Sequence, residues 1–286
     1  MKGIILSGGL GTRLSPLTTS YTKQLLPVYD KPMIYYPLTT LMSCGIRDIL
    51  IITSPDDDKL FKKLFSRSSL WGVKLKFAIQ KKPKGIADSF IIASDFIKNQ
   101  SVMLILGDNI FNGINYKNII KILDNSFTGA HIFAYKVEDP KRYGVIELKK
   151  GKIKSIIEKP IKPKSNYAVT GFYIYDKEVV KYAKNLKLSK RGELEITDIN
   201  KIYLKKNTLN VSIMDRGSVW LDAGTFDTLL QSAYYVQTIQ KRQKILIGSP
   251  EEVAYLNGWI SKKQFAKILD YLPNNDYKKY LEEIIK

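Results

Sequence analysis

Short aliphatic runs alternate with amphipathic stretches through the first hundred residues of this chain, and no other feature restricts its fold as strongly. Strands buried on both faces form such runs, and the helices that cover them show a 3.6-residue period. The runs occupy residues 2–6, 48–53, 73–79 and 102–106, and helical patterns lie near 32–44, 56–66 and 86–98. The sequence therefore predicts an α/β fold with a Rossmann-like, mixed but mostly parallel sheet flanked by helices.

The pattern changes after residue 117, where strands follow one another without helices between them. The runs AHIFAYKV, YGVIEL, KIKSIIE and AVTGFYIYD predict four strands, and KKGK at residues 149–152 predicts a hairpin turn. From Thr225 to the end the apolar residues have helical spacing. We expect one compact unit with an inserted or appended second region and a helical C-terminal extension.

The chain is strongly basic, because 46 Lys and Arg against 27 Asp and Glu among 286 residues give a formal net charge of +19. Such a field attracts polyanions, which makes a basic nucleic-acid-binding module one alternative. Only seven of the basic residues are arginine, however, and the lysines are scattered rather than gathered in one block. We therefore expect no nucleic-acid partner, and small phosphorylated substrates suit the same field.

No apolar stretch approaches the roughly 20 residues of a membrane span, and the N-terminal apolar run is too short for a signal peptide. We expect a cytoplasmic protein without a membrane partner. The single cysteine, Cys44, excludes an internal disulfide and fits a buried position at the end of a helix.

Three glycines follow the first predicted strand in the segment SGGLGTRL. Gly8, Gly9 and Gly11 leave backbone N–H groups open to an anion, and phosphate is the expected ligand. The segment lacks the Gly-Lys-Ser/Thr ending of a Walker A loop, and Leu14 replaces the third glycine of a dinucleotide fingerprint. A tight structural turn is the alternative interpretation of these glycines alone.

Two cations, Arg13 and Lys23, strengthen the phosphate interpretation. A guanidinium fork and an ammonium group beside a glycine loop bind a triphosphate and offset the charge that grows during phosphoryl or nucleotidyl transfer. A solvated surface lysine would be the simpler interpretation of Lys23 if it stood alone. In this context we expect both residues to be catalytic.

Two aspartates, Asp108 and Asp222, each follow a short apolar run. The ends of such strands are where α/β sheets place ligands. Two carboxylates, substrate phosphates and water complete the oxygen octahedron that Mg²⁺ prefers. A protein nucleophile is not evident, since the one histidine, His131, lies inside an apolar run and is expected to be structural.

The segment GGLGTRLSPLTTSYTKQLLPVYDKPMIYYPL resembles the N-terminal motif of the sugar-1-phosphate nucleotidyltransferases. The resemblance continues in order through LGDNIF, EKP, NYAVTGFYIYD, RGELEITDIN and VWLDAGTFDTL, over nearly the whole chain. It is strongest to members that join dTTP and glucose 1-phosphate into dTDP-glucose, the first step toward dTDP-rhamnose or related deoxysugars. The resemblance implies Mg²⁺ held by Asp108 and Asp222, and a homo-oligomer that is usually a tetramer.

The resemblance also implies a set of site residues. Those expected to bind the nucleotide are Leu6, Gly8, Gly9, Gly11, Thr12, Gln80, Gly85 and Asp108. Those expected to bind the sugar and its phosphate are Gly144, Glu158, Lys159, Asn166, Val169, Gly171 and Arg191. Gln80 offers a donor and an acceptor to the edge of a pyrimidine, and Gly85 is expected to let the backbone approach the ring.

The same resemblance suggests how the chain is divided. We expect a nucleotidyltransferase core at residues 1–240, with a nucleotide-binding part at about 1–116 and a sugar-binding part at about 117–224. Residues 241–286 would form the helical C-terminal extension.

Several residues depart from the family pattern. In the base-binding segment Lys84 replaces an aspartate and Asp88 replaces a glutamine, which leaves the choice between thymine and uracil open. Ile114 and Leu256 stand where a histidine and an arginine of the family help to form a second nucleotide site for feedback, and Asn112 departs from the same motif. We hypothesise that feedback inhibition is altered or absent, because polar contacts to an anion are lost.

Two further alternatives remain at this point. The nearest is the same chemistry with UTP or another hexose 1-phosphate. The other is a nucleotide-sugar-dependent glycosyltransferase, although GDNIF lacks the second aspartate of the Asp-x-Asp pair typical of that class.

Overall fold

The computed structural model describes residues 1–9, 11–123 and 127–286. Within them thirteen strands, β1 to β13 in chain order, span Lys2–Ser7, Pro27–Val28, Lys31–Pro32, Asp48–Thr53, Lys74–Ile79, Val102–Leu106, Asn109–Asn112, Ala130–Lys136, Gly144–Lys149, Lys152–Glu158, Tyr167–Tyr175, Leu209–Ile213 and Val219–Asp222. Eleven helices in the same part of the chain, α1 to α11, span Tyr35–Ser43, Asp58–Leu64, Asp88–Ile92, Ser94–Ile97, Tyr116–Ile122, Val179–Lys184, Ile196–Lys205, Phe226–Gln243, Pro250–Leu256, Lys262–Leu269 and Asp276–Ile284.

Nine strands form one twisted sheet in which β5, β4, β1 and β6 are parallel neighbours. The strand β11 pairs antiparallel with β6 on one side and with β8 on the other, and β12 adds parallel to β8. The hairpin β9–β10 joins the first half of β11 through Ala168 and Val145. The sheet is mixed and mostly parallel where the glycine loop leaves it, as the sequence predicts.

Hydrophobic side chains fill both faces of the sheet, because successive residues of a strand point to opposite sides. Ile5 belongs to a core covered by α1, α2 and the helices α9 to α11. Ile4, its neighbour in β1, belongs to a second core covered by α3, α6 and α7. A third cluster packs α8 against Val28 and Ile110 and supports the small β7–β13 sheet.

The predicted elements are confirmed with small shifts, with one exception. The segment 86–98 is wrong as a single helix, because α3 ends at Ile92 and α4 begins at Ser94. Ala93, with φ −86° and ψ 7°, lies outside helical geometry and separates the two helices. The KKGK hairpin and the helical C-terminus are confirmed. The helix α8 spans Phe226–Gln243 and so crosses the boundary expected between residues 240 and 241.

Among the described residues, none of the helices combines the length and the hydrophobicity needed to span a lipid bilayer.

Candidate active site

Three chain segments meet at the carboxyl-terminal ends of β1 and β6, the edge where an α/β sheet leaves a crevice. The strand β1 leads into the glycine loop, and β6 leads into Gly107 and Asp108. The Gly107 N–H donates to the Leu6 carbonyl at 2.9 Å, and the Ala223 N–H donates to the Asp108 carbonyl at 3.1 Å. Backbone hydrogen bonds therefore tie the loops after β1, β6 and β13 together.

Asp108 is buried, and its Oδ2 contacts the ammonium group of Lys23. Asn109 Nδ2 donates to Asp108 Oδ1 at 3.0 Å. Burial raises the pKa of Asp108, but the charge of Lys23 and the hydrogen bonds from Lys23 and Asn109 outweigh burial and hold that pKa below its ordinary value. The predicted catalytic lysine and the first predicted metal ligand are thus direct neighbours.

Asp222 is the last residue of β13. Burial and the charge of Asp108 raise its pKa, against the opposing charges of Lys23, Arg13 and Arg142. Asp222 pairs with Asn109, the neighbour of Asp108, across the β7–β13 sheet, and both aspartates line the same cleft. The structure therefore brings both aspartates and both predicted catalytic cations into one site.

Arg142 belongs to this site although no motif singles it out. Its Nη2 lies 3.6 Å from Asp222 Oδ2, which is too far for a hydrogen bond. Within the described residues this buried nitrogen has no hydrogen-bond partner. An unpaired buried donor costs free energy, and Arg142 also lines the cleft, so an anion bound beside Asp222 would give this vacant N–H a partner. The only signal in the sequence is its place two residues before Gly144.

Asn109 is a second functional position that the sequence pattern does not reveal. Its Oδ1 accepts hydrogen bonds from Trp220 Nε1 at 2.6 Å and from the Gly171 N–H at 3.0 Å. A Cβ on Gly171 would lie 2.4 Å from that same oxygen, so only glycine permits the contact. Asn109 joins β7, β11 and β13 and thereby fixes the position of Asp108 beside it.

A cleft of about 740 Å³ opens beside the two aspartates. One side is formed by Thr12, Arg13, Asp108, Arg142 and Asp222. The other side is formed by the predicted sugar-phosphate residues Gly144, Glu158, Lys159, Val169, Gly171 and Arg191 together with Thr197 and Glu195. The cleft therefore joins the predicted metal ligands to most of the predicted sugar-binding residues.

The sugar side of this cleft is rich in carboxylates. Thr197 Oγ1 donates to Glu158 Oε2, which orients that carboxylate. Arg191 lies near three acids, with N–O distances of 3.7 Å to Glu158, 2.9 Å to Glu193 and 3.4 Å to Glu195. Carboxylates accept hydrogen bonds from sugar hydroxyls, so this wall suits a hexose. These three acids offset the positive charge of Arg191, the residue that we predicted to bind the sugar phosphate.

Of the predicted nucleotide-binding residues, Thr12 and Asp108 line the cleft, and the glycine loop and Gln80 lie toward β5 at the same sheet edge. Gly11 has a φ of 63°, and Thr18 Oγ1 donates to its carbonyl at 2.9 Å, which ties the loop to the segment after it. Gln80 follows β5 and is buried against the glycine loop. A Cβ on Gly8 would lie 2.6 Å from Gln80 Oε1, so glycine is needed there for close packing.

Gly85 packs closely against the backbone of Leu194. Its φ is 101°, and a Cβ there would lie 2.5 Å from the Leu194 carbonyl oxygen. The Leu194 backbone fills the space on that side of Gly85, and the Leu194 N–H donates to the Lys84 carbonyl at 2.7 Å. Gly85 therefore connects the predicted base-binding loop to the loop that carries Arg191.

Three other predicted positions lie outside the cleft. Asn166 is not among its lining residues, and the Asn166 carbonyl accepts the Val137 N–H at 2.9 Å. Asn112 donates to the Tyr235 hydroxyl at 2.8 Å, and Leu256 is 70% exposed on α9. Cys44 and His131 are both buried, as expected of structural residues.

The aspartate pair fits a divalent cation. Both carboxylates face the cleft, their mutual repulsion is relieved by a positive charge, and oxygen is the preferred ligand of Mg²⁺. Among the described residues no three His, Cys, Asp or Glu side chains form a metal-binding cluster. Mg²⁺ is characteristically held by one or two carboxylates together with substrate phosphates, so two aspartates suffice.

An anion-binding glycine loop beside paired carboxylates, at this edge of a doubly wound sheet, is typical of α/β proteins that bind nucleoside phosphates. The chain belongs to the nucleotidyl transferase family, whose sequence profile matches residues 2–238. This family generally uses a divalent metal.

Similar proteins cover the chain from end to end. The glucose-1-phosphate thymidylyltransferase of Neisseria meningitidis serogroup A is 49% identical over 287 residues, which is 100% of both chains. The enzyme of the same name from Mycobacterium tuberculosis is 48% identical over 100% of this chain and 99% of its own. A Bacillus anthracis structure described as a glucose-1-phosphate thymidylyltransferase in complex with a sucrose aligns with a TM-score of 0.77 and 42% identity, covering 82% of this chain and 94% of the other.

Proposed function

We propose that this chain is a Mg²⁺-dependent nucleotidyltransferase that converts dTTP and glucose 1-phosphate into dTDP-glucose and pyrophosphate. One observation carries the proposal: Asp108 and Asp222 meet beside Arg13 and Lys23, at the mouth of a cleft whose far wall suits a hexose. The full-length similarity to two thymidylyltransferases supports the same substrates.

The reaction needs positioning and charge compensation more than a protein base. The phosphate oxygen of glucose 1-phosphate attacks the α-phosphorus of the triphosphate in line, and pyrophosphate leaves from the opposite side. Arg13 and Lys23 offset the charge that develops on the transferred and leaving phosphates, and the glycine-loop amides donate to the triphosphate. Because the attacking oxygen is already ionised near neutral pH, no side chain has to remove a proton.

The metal would be held by Asp108 and Asp222. When bound there, Mg²⁺ neutralises phosphate charge on both substrates. Lys23 and Arg142, which neighbour the two carboxylates in the structure, are then free to face the substrate phosphates.

The substrates fit on two sides of the glycine loop. Glucose would lie against Glu158 and Thr197, with its phosphate toward Arg142 and Lys159. The nucleoside would then extend the other way, along the carboxyl ends of β4 and β5 toward Gln80. This arrangement brings the two phosphates together between the cations.

One assay tests the proposal. Pyrophosphate release is measured for each nucleoside triphosphate with glucose 1-phosphate, with other hexose 1-phosphates and without sugar phosphate, in the presence and absence of Mg²⁺. We expect the fastest release with dTTP and glucose 1-phosphate, and none without Mg²⁺ or without sugar phosphate. Faster release with UTP would favour the alternative nucleotide, and no release with any pair would contradict the proposal.

Assembly and feedback are part of the same proposal. We propose a homotetramer, which sedimentation velocity measures directly.

With Asn112 bonded to Tyr235 and Leu256 apolar, we propose that a second nucleotide site is weakened. Strong inhibition by dTDP-rhamnose acting away from the cleft would contradict this.

A further inference from the structure

Gln80 and Asp88 form a buried hydrogen-bonded pair beside the glycine loop. Gln80 Nε2 donates to Asp88 Oδ2 at 2.9 Å, and both side chains are at most 9% exposed. The backbone of Gln80 is fixed as well, because its N–H donates to the Thr53 carbonyl at 2.8 Å.

The carboxylate of Asp88 determines which way the Gln80 amide points. A carboxylate oxygen accepts hydrogen bonds and does not donate them, so the amide must turn its NH₂ group toward Asp88. The carbonyl oxygen Oε1 then faces the other way, against Gly8. Asparagine or glutamine in place of Asp88 would accept or donate and would leave the Gln80 amide free to turn over.

The place of this oxygen matches the nucleoside end of the proposed substrate. The glucose wall lies on β9, β10 and β11, on one side of the glycine loop, and β4 and β5 lie on the other. A triphosphate held at the loop therefore extends its base toward the end of β5, where Gln80 stands.

We propose that Asp88 is a positioning residue that selects the base by fixing Gln80 Oε1 as an acceptor on the glycine-loop side of the amide. This inference rests on the proposed function for the location of the base. A fixed acceptor fits a base edge that carries an N–H, such as N3–H of thymine or uracil. Cytosine has a lone pair at N3, so the same oxygen repels it.

The inference predicts a change in base preference rather than a general loss of activity. Asp88→Asn is nearly isosteric, but it lets the Gln80 amide present either face. We expect the preference for dTTP over dCTP to fall roughly tenfold or more, because a site built for one hydrogen-bonding pattern discriminates through groups left unpaired. The kcat with dTTP should change far less than its KM, since Asp88 does not face the reacting phosphates.

The experiment measures dissociation constants for dTTP and dCTP by calorimetry, and kcat and KM by pyrophosphate release. Asp88→Glu keeps a pure acceptor and should retain most of the preference. Asp95→Asn, an exposed position in α4, is the matched control for loss of one negative charge nearby. Should Asp88→Asn fail to fold, Asp88→Ser replaces it, since a hydroxyl also donates and accepts.

Binding separates this inference from the proposed function. A folded Asp88→Asn or Asp88→Ser protein with the wild-type ratio of dTTP to dCTP binding would overturn the role of Asp88. A wild-type chain that prefers dTTP in binding but releases no pyrophosphate with glucose 1-phosphate would overturn the function instead, and the ratio in the variant would still decide the role of Asp88.

Discussion

The ammonium group of Lys23 contacts the carboxylate of Asp108, a residue 85 positions further along the chain. Both side chains are largely buried, at 14% and 10% exposure. Lys23 therefore compensates the charge of a buried carboxylate, and under the proposed function the same ammonium group would face the substrate phosphates once a metal is held by the aspartates.

We expect Lys23→Met to lower both turnover and stability. Removing the cation takes away charge compensation at the reacting phosphates, for which we expect a loss in kcat of roughly 100-fold. It also leaves Asp108 buried without its partner, which should lower the free energy of unfolding by up to about 3 kcal/mol. Urea unfolding and pyrophosphate release measure the two effects, and Lys23→Arg should restore stability more than turnover. Unchanged kcat in a folded Lys23→Met protein would remove Lys23 from the mechanism.

Replacing Arg13 should lower turnover and leave stability nearly unchanged. Its side chain is exposed at the cleft, so Arg13→Ala should leave the free energy of unfolding nearly unchanged. We expect kcat to fall by about two orders of magnitude, because a guanidinium fork on the phosphates is lost. Arg242→Ala, an exposed arginine in the last turn of α8, is the control. Near-normal turnover of Arg13→Ala would contradict the assigned role.

Arg142 tests whether position or overall charge matters. Arg142→Ala should reduce kcat/KM for glucose 1-phosphate roughly tenfold or more, because the vacant N–H beside Asp222 is removed. Lys141 lines the same cleft and carries the same charge, so Lys141→Ala is a matched control with a small expected effect. Equal losses in the two variants would indicate a general positive field instead of a specific contact.

The sequence predicted those parts of the molecule that depend on local pattern. The strands β1, β4 and β6 were predictable because each is a long aliphatic run buried on both faces. Asp108 was predictable as a site residue because it directly follows such a run, and ligands collect at strand ends.

The contacts that the sequence could not predict join distant segments. Asn109 and Trp220 lie 111 positions apart and meet only because the short strands β7 and β13 pair. The apolar run before Asp222 is visible in the sequence, but nothing in it indicates that this run pairs with β7. Arg142 is one of 46 basic residues in the sequence. Its unpaired Nη2 lies beside Asp222 only because β13 brings Asp222 to that place.

Gly85 offers a test of the connection between the two halves of the site. Gly85→Ala places a Cβ against the Leu194 backbone at a φ of 101°, so it should cost several kcal/mol of stability or displace the 189–195 loop. Gly151→Ala also has a positive φ, 76°, but no atom lies within 4 Å of its added Cβ. Gly151→Ala should therefore cost only about 1 kcal/mol. Urea unfolding compares the two variants, and equal costs would contradict the role of Leu194.

His131 gives the protein a specific sensitivity to acid. It is the only histidine, it lies buried in β8, and its Nε2 is 2.8 Å from Ser212 Oγ. Burial lowers the pKa of His131 from 6.5 to about 4. The folded state therefore prefers the neutral imidazole, and its contribution to stability is complete above pH 6.5 and is lost as the pH falls toward 4.

Two measurements check this behaviour. Because the chain has one histidine, its imidazole C–H signals in an NMR titration belong to His131, and we expect a midpoint near pH 4; a midpoint near 6.5 would contradict burial of the neutral ring. His131→Gln keeps a neutral hydrogen-bonding group that does not titrate. Between pH 6.5 and 4 the wild type should therefore lose up to about 3 kcal/mol more unfolding free energy than the variant, since each pKa unit corresponds to about 1.4 kcal/mol. Carboxylates titrate equally in both proteins, so the difference between their urea-unfolding curves isolates the imidazole.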